Sequence, residues 1–269
     1  MSRSSQRAVW LAGPPGFAAL YDAELPQKDG LCGPFWLSLA LRASGVLAGD
    51  GIELGQDAVA VAAGSKLAKG DPSRWLPPRE TSRADYHLDL PVVDEDASGT
   101  SVAGLVRAAD QLGRDALAIV AIAGPWDEEA VGALFETAAV DRTALLLANV
   151  QTGAFVGSHA SFRQLTEAAQ GNASELPGSD WDVGHFVNPM LYLEGPHSAL
   201  VLIRDTYPSL GADGHHWQTA GSLAAALARN DGRQGGVLVL CSPVARSSIE
   251  ATAATAGLRV EIWDNGTPT

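Results

Sequence analysis

The sequence predicts an α+β fold in one domain, and three observations predict it. Helical spacing fills the first half and the interior of the second, whereas apolar strand-like runs cluster late. No internal repeat, low-complexity tract or interdomain linker divides the chain. Its 269 residues, of which 46% are hydrophobic and 18% charged, suffice for one large core.

Taken in order, residues 1–24 read as a loosely structured lead-in with one short apolar piece. Residues 34–44 read as a helix, with Pro34 in its first turn and Gly45 just past its end. Residues 51–67 read as a short helix and a turn. Residues 69–99 are rich in Pro, Asp, Arg and Ser, lack periodicity, and read as a long surface excursion. A Thr-Ser cap then opens a helix over 99–113, followed by a strand over 116–124. Residues 127–139 form a helix whose acidic first turn suits the helix dipole. Residues 143–150 form a buried strand that "GAFVG" extends or pairs with, and 161–171 form a helix. "GHFVNPMLYLEGPHSALVLIRDTYP" is two apolar runs around a Gly-Pro turn, a hairpin. A helix over 219–232 and a strand-helix-strand tail, 235–266, complete the chain.

The formal net charge of −13 argues against nucleic acid, whose phosphates need a basic face. No apolar run reaches the ~18–20 residues of a membrane span, and the N-terminal stretch lacks the apolar segment of a signal peptide. Two cysteines, Cys32 and Cys241, are no disulfide framework and fit a reducing cytoplasm. The turns "AGPPG" and "AGPW" carry no nucleotide-binding glycine pattern, so no cofactor is expected. Adjacent His215 and His216 have no Cys/His/acid cluster around them, so they read as a surface loop and no metal is expected. Trp36, Trp126, Trp181 and Trp217 are ordinary packing aromatics by type. Trp181, just before His185, is the one placed to shield a site from water.

Chemistry concentrates at "LPQKDGLCGPFW". Cys32 lies at the mouth of the predicted helix, where free N–H groups and the dipole favour a thiolate. Taken alone it is equally a small buried hydrophobe. Gly33 leaves the nearby backbone uncrowded for a substrate carbonyl. The Gln27 amide, with the backbone N–H of Cys32, can form an oxyanion hole. Cys241 sits inside "VLVLCSP" and reads as packing.

A thiolate needs a base, and among six histidines His185 opens an apolar strand directly after Gly184. A hairpin register centred on Gly195 places it opposite Asp205, a charge ending an apolar run. A one-residue slip moves one of the two to the other face. Asp182 is the competing orienter, three residues from His185.

The order "Q-x4-CGP", then "GHFV", then "LVLIRD" resembles papain-like cysteine peptidases, most closely the bacterial C39-like branch. The resemblance covers about residues 25–230 and includes "GTS" at 99–101 and the run from the acid into a helix. It implies a papain-like fold, with a central Cys-bearing helix packed on an antiparallel sheet. It also implies Cys32 as nucleophile, His185 as base, Asp205 as orienter and Gln27 as oxyanion donor, with Gly33, Trp181 and Gly184 beside a peptide or amide substrate. The sequence departs from the family in the 69–99 excursion, in Thr-Tyr-Pro after the acid, and in the tail, which reads as a C-terminal extension. The activity implied is hydrolysis of a peptide or amide bond. Transamidation or peptide tailoring by the same residues, and non-catalytic peptide binding, stay open.

Overall fold

The computed structural model describes residues 7–47, 54–113, 115–172 and 175–268. Residues 1–6 of the lead-in and 51–53 of the predicted helix-turn segment lie outside them. Among the described residues are eight α-helices: α1 (Phe17–Glu24), α2 (Cys32–Ala43), α3 (Gln56–Ala63), α4 (Val102–Gly113), α5 (Glu128–Ala138), α6 (Phe162–Ala169), α7 (Ala220–Ala228) and α8 (Arg246–Thr255). The strands are β1 (Ala8–Trp10), β2 (Leu67–Ala68), β3 (Val92–Val93), β4 (Ala118–Ala123), β5 (Leu145–Gln151), β6 (Gly184–Leu193), β7 (Leu200–Arg204), β8 (His215–Thr219), β9 (Gly236–Cys241) and β10 (Arg259–Val260). The fold is mixed α+β around one large antiparallel sheet, ordered β10-β4-β9-β5-β6-β7-β8, with β1 paired to β6.

The sheet is covered on both faces, which explains its continuous apolar runs. An antiparallel sheet with one wet face alternates apolar and polar residues. Here all six residues of β4 are buried. Val120 and Ile122 pack with α5, α7 and α8, whereas Ile119 and Ala121 pack with α1, α2, α3 and α4. Helix starts follow local chemistry. The Asp127 carboxylate accepts the Ala130 N–H at 2.8 Å, and Ser161 with Gln164 forms a capping box on α6.

Five expectations change. The lead-in holds a regular helix, α1, because Phe17 and Tyr21 have a partner, Trp36 of α2, on which both rings stack. "GAFVG" contributes a 3-10 turn at Thr152–Ala154 and a single bridge from Val156 to Gly178. The 69–99 excursion carries β3, which pairs with β2. His215 and His216 open a strand, β8, paired to β7, rather than a surface loop, and His216 and Gln218 turn their alternate side chains inward. The tail is no extension: β9 lies between β4 and β5 and is buried throughout.

The hairpin register also differs from a plain ladder centred on Gly195. Near the tip Leu193 pairs with Leu200, but Asn188 pairs with Arg204, and a bulge at Met190 separates the two registers. Extended from the tip, the ladder would set Asp205 opposite residue 188 and put His185 on the other face. The extra residue moves Asp205 opposite residue 187, so His185 and Asp205 share a face. Pro189, which has no N–H to give, marks the place.

Candidate functional site

Cys32 is the first residue of α2, so its own N–H and those of the next turn lack intrahelical carbonyls. Buried residues follow it without a break from Gly33 to Leu41. The Trp36 indole N–H donates to the Phe186 carbonyl at 2.9 Å, locking α2 beside the first residues of β6. Gly33 does not face the cleft, contrary to expectation: a Cβ there would meet Leu105 Cδ1 at 3.0 Å and Phe186 Cδ2 at 3.4 Å. It is a glycine because the helix, the sheet and α4 come together there.

His185 is 3% exposed and Asp205 1%. The His185 Nε2 lies 3.0 Å from Asp205 Oδ1, and Cys32 lines the same cleft, close enough to the ring to favour its charged form. Asp205 Oδ1 also accepts the Thr206 N–H at 2.7 Å, and Thr206 Oγ1 lies 3.3 Å from His185 Nε2. Burial pulls the ring pKa down, but the Asp205 carboxylate and Cys32 outweigh it and push it up to about 10. Burial likewise raises the Asp205 pKa, yet the charge and hydrogen bond of His185, with His216, hold it well below the usual carboxylate range.

Asp182 is not part of this arrangement. Its carboxylate holds the Gln151 amide and the Gly153 N–H instead. Asp205, one residue past the end of β7, is also fixed through its backbone. The Tyr21 hydroxyl donates to the Asp205 carbonyl at 2.7 Å, and the Asp205 N–H donates to the Gly214 carbonyl at 2.7 Å. A Cβ on Gly214, whose φ is +77°, would lie 2.3 Å from that hydroxyl, so glycine is required.

The cleft at Cys32 has a volume of about 450 Å³ and is lined by Gln27, His185, Trp181 and Gly184 among others. Trp181 packs edge-on against the His185 ring with centroids 4.9 Å apart, and Tyr207 stacks on it at 6.0 Å. Sequence reading missed Tyr207, although the Thr-Tyr-Pro departure pointed to it. The Gln27 amide N–H donates to Tyr207 Oη at 2.9 Å, whereas its oxygen is buried without a partner.

The excursion straps the Gln27 loop. Lys28 Nζ reaches Asp57 at 2.9 Å and the Asp85 carbonyl at 2.8 Å. The Asp29 N–H donates to the Arg83 carbonyl, and the Tyr86 hydroxyl to that of Asp29. The Trp75 carbonyl accepts the Trp181 indole N–H at 2.9 Å, tying the excursion to the opposite wall. Arg229, at the far end, packs its guanidinium over Gly184 and pairs with Asp231.

Cys241 is 1% exposed, and burial, with Asp141 nearby, pushes its thiol up to about 11. It is a packing residue of β9. Among the described residues, no group of three His, Cys, Asp or Glu side chains is arranged to hold a metal ion, and no helix is long and apolar enough to cross a membrane.

A model of a family of unknown function, DUF6885, matches residues 11–264. The chain belongs to DUF6885. The match runs from Leu11 through β9 and α8 to Asp264, so the DUF6885 unit contains Gln27, Cys32, His185, Asp205 and the tail strands, whereas Asn265 and Thr267 of the cleft wall lie just past it. No curated protein matches the chain.

Proposed function

We propose that this DUF6885 chain is a thiol-dependent acyl-transfer enzyme, in its simplest form a cysteine peptidase or amidase. The observation that carries the proposal is one imidazole, that of His185, bonded to a buried carboxylate and sharing its cleft with a thiol. Nε2 meets Asp205 at 3.0 Å, and Cys32, at the start of a buried helix, lines the same cleft and favours the charged ring. The Cys-bearing helix on an antiparallel sheet, with His and Asp on neighbouring strands, supports kinship with papain-like peptidases. The helices on both faces and the central β9 set it apart.

In the reaction, Cys32 Sγ transfers its proton to His185 and attacks the amide carbon. The carbonyl π pair moves to oxygen, where the Cys32 N–H and the Gln27 amide face it. Gln27 Nε2 carries two hydrogens, so one can hold Tyr207 while the other serves the oxyanion. Collapse breaks the C–N bond, and His185 gives its proton to the leaving amine. Water, deprotonated by His185, then releases the acyl group as a carboxylic acid and restores the thiol. Trp181 and Tyr207 exclude bulk water from the ring throughout.

The test is iodoacetamide labelling near pH 6 with mass spectrometry, followed by peptide-library digestion. Cys32 labels first, and Cys32→Ala abolishes cleavage. Labelling of Cys241 at an equal rate overturns the proposal.

A further inference from the structure

Asp205 Oδ1 is crowded with donors, whereas Oδ2, among the described residues, lies 3.6 Å from His216 Nε2. His216 is 5% exposed, and its Nε2 has no hydrogen-bond partner among the described residues. Its protonation state follows from its neighbours. The Val156 N–H donates to Gln218 Oε1 at 2.8 Å, and Gln218 Nε2 donates to the Val156 carbonyl at 2.9 Å. A backbone N–H and C=O cannot exchange roles, so the sense of this amide is fixed. The remaining Nε2 hydrogen of Gln218 points to His216 Nδ1 at 3.1 Å. A ring that accepts at Nδ1 and is neutral carries its proton on Nε2, and Nε2 is the atom facing Asp205.

We propose that His216 is a positioning residue: its neutral Nε2–H dipole anchors Oδ2 of Asp205 and so keeps Oδ1 aimed at His185. The inference rests on the catalytic reading of Cys32, His185 and Asp205. At 3.6 Å the contact is electrostatic rather than a short hydrogen bond, but it acts where water is excluded and the effective dielectric is low. The register supports it. Ile203 pairs with His216, so Asp205 and His216 lie diagonally on one face, as do His185 and Asp205 across the other seam. A neutral His216 also cannot compete with His185 for the role of counter-cation. The groups that face His216 are Asp205, Gln218 and the Phe155 ring, and Asp180 borders the small cavity beside it.

The experiment uses ring ¹⁵N NMR and the pH profile of Cys32 alkylation in the full chain. His216 gives the ring signature of an Nε2–H tautomer with an unprotonated Nδ1. His216→Phe keeps the ring volume without the donor and lowers the His185 midpoint by about one unit. His216→Gln, with an amide N–H near the lost Nε2, restores most of it. An Nδ1–H or charged His216, or a Phe variant with the wild-type His185 midpoint, overturns the inference. If the Phe variant does not fold, the tautomer and the Gln variant decide. If wild-type Cys32 fails to react, the enzymatic reading fails, while the His185 midpoint still reports on His216.

Discussion

His185 and Asp205 share their charge in a place without water, so each sets a direction for stability against pH. A histidine with its folded pKa raised to about 10 stabilises fully below its unfolded value of about 6.5. That contribution falls as pH rises and is gone above about 10. Asp205, depressed in the fold, stabilises above its unfolded value of about 3.9, and that part is lost as the medium becomes more acidic. Urea titrations between pH 6.5 and 10 therefore show falling stability, and His185→Gln flattens the slope; an unchanged slope places the titration elsewhere. Gln27 separates rate from stability. Its buried oxygen has no partner, so removing its side chain costs the fold the one bond to Tyr207, about 1 kcal/mol. Gln27→Ala lowers kcat by about 10²–10³ with a near-native melting temperature, read by steady-state kinetics beside calorimetry. These residues were legible because each interrupts its context: Cys32 before Gly-Pro, His185 before Phe-Val, Asp205 after an apolar run. Tyr207 and His216 were not, because an aromatic ring and a paired histidine are common in loops and acquire meaning only through the strands that seat them.

Among elements, the hairpin and the strap decide the geometry. The hairpin was legible as two apolar runs around Gly-Pro, but its bulge was not, since periodicity carries no record of one extra residue. Pro189 inside a central strand was the available signal. The excursion read as surface because its polar residues lack periodicity; their partners are the backbone groups of residues 24–29, which no pattern in sequence displays. The Gln27 loop is also held from α3 by the Lys28–Asp57 pair, with side chains 6% and 7% exposed. Removing one member of such a pair leaves a buried charge alone, at about 3–5 kcal/mol. Lys28→Met accordingly destabilises by about that amount. Lys28→Met combined with Asp57→Leu recovers part of it, the remainder reflecting the His87 N–H that Asp57 also accepts. Denaturant unfolding of both variants measures the difference, and an additive double variant denies the coupling.

For the whole molecule, the decisive fact is where β9 sits. The α+β class was readable from the order of helical and apolar runs. The place of the last strands was not, because a strand's sequence states that both its faces are buried but not between which neighbours. "GVLVLC" is that kind of run, and it fills the gap between β4 and β5, which run in the same direction because both pair antiparallel with it. Val237, Leu238, Val239 and Leu240 are each at most 2% exposed. At about 1.5–3 kcal/mol for each buried side chain, the four contribute about 6–12 kcal/mol. The entire stability of a domain is about 5–15 kcal/mol. An appendage could be removed with the cleft intact; a central strand cannot. Truncation after Gln234 is therefore expected to abolish cooperative unfolding and Cys32 labelling together, although Cys32, His185 and Asp205 all remain in the chain. Calorimetry and iodoacetamide labelling of the truncated chain check this. A native-like melting transition without residues 235–269 would mean that β4 and β5 close the sheet by themselves.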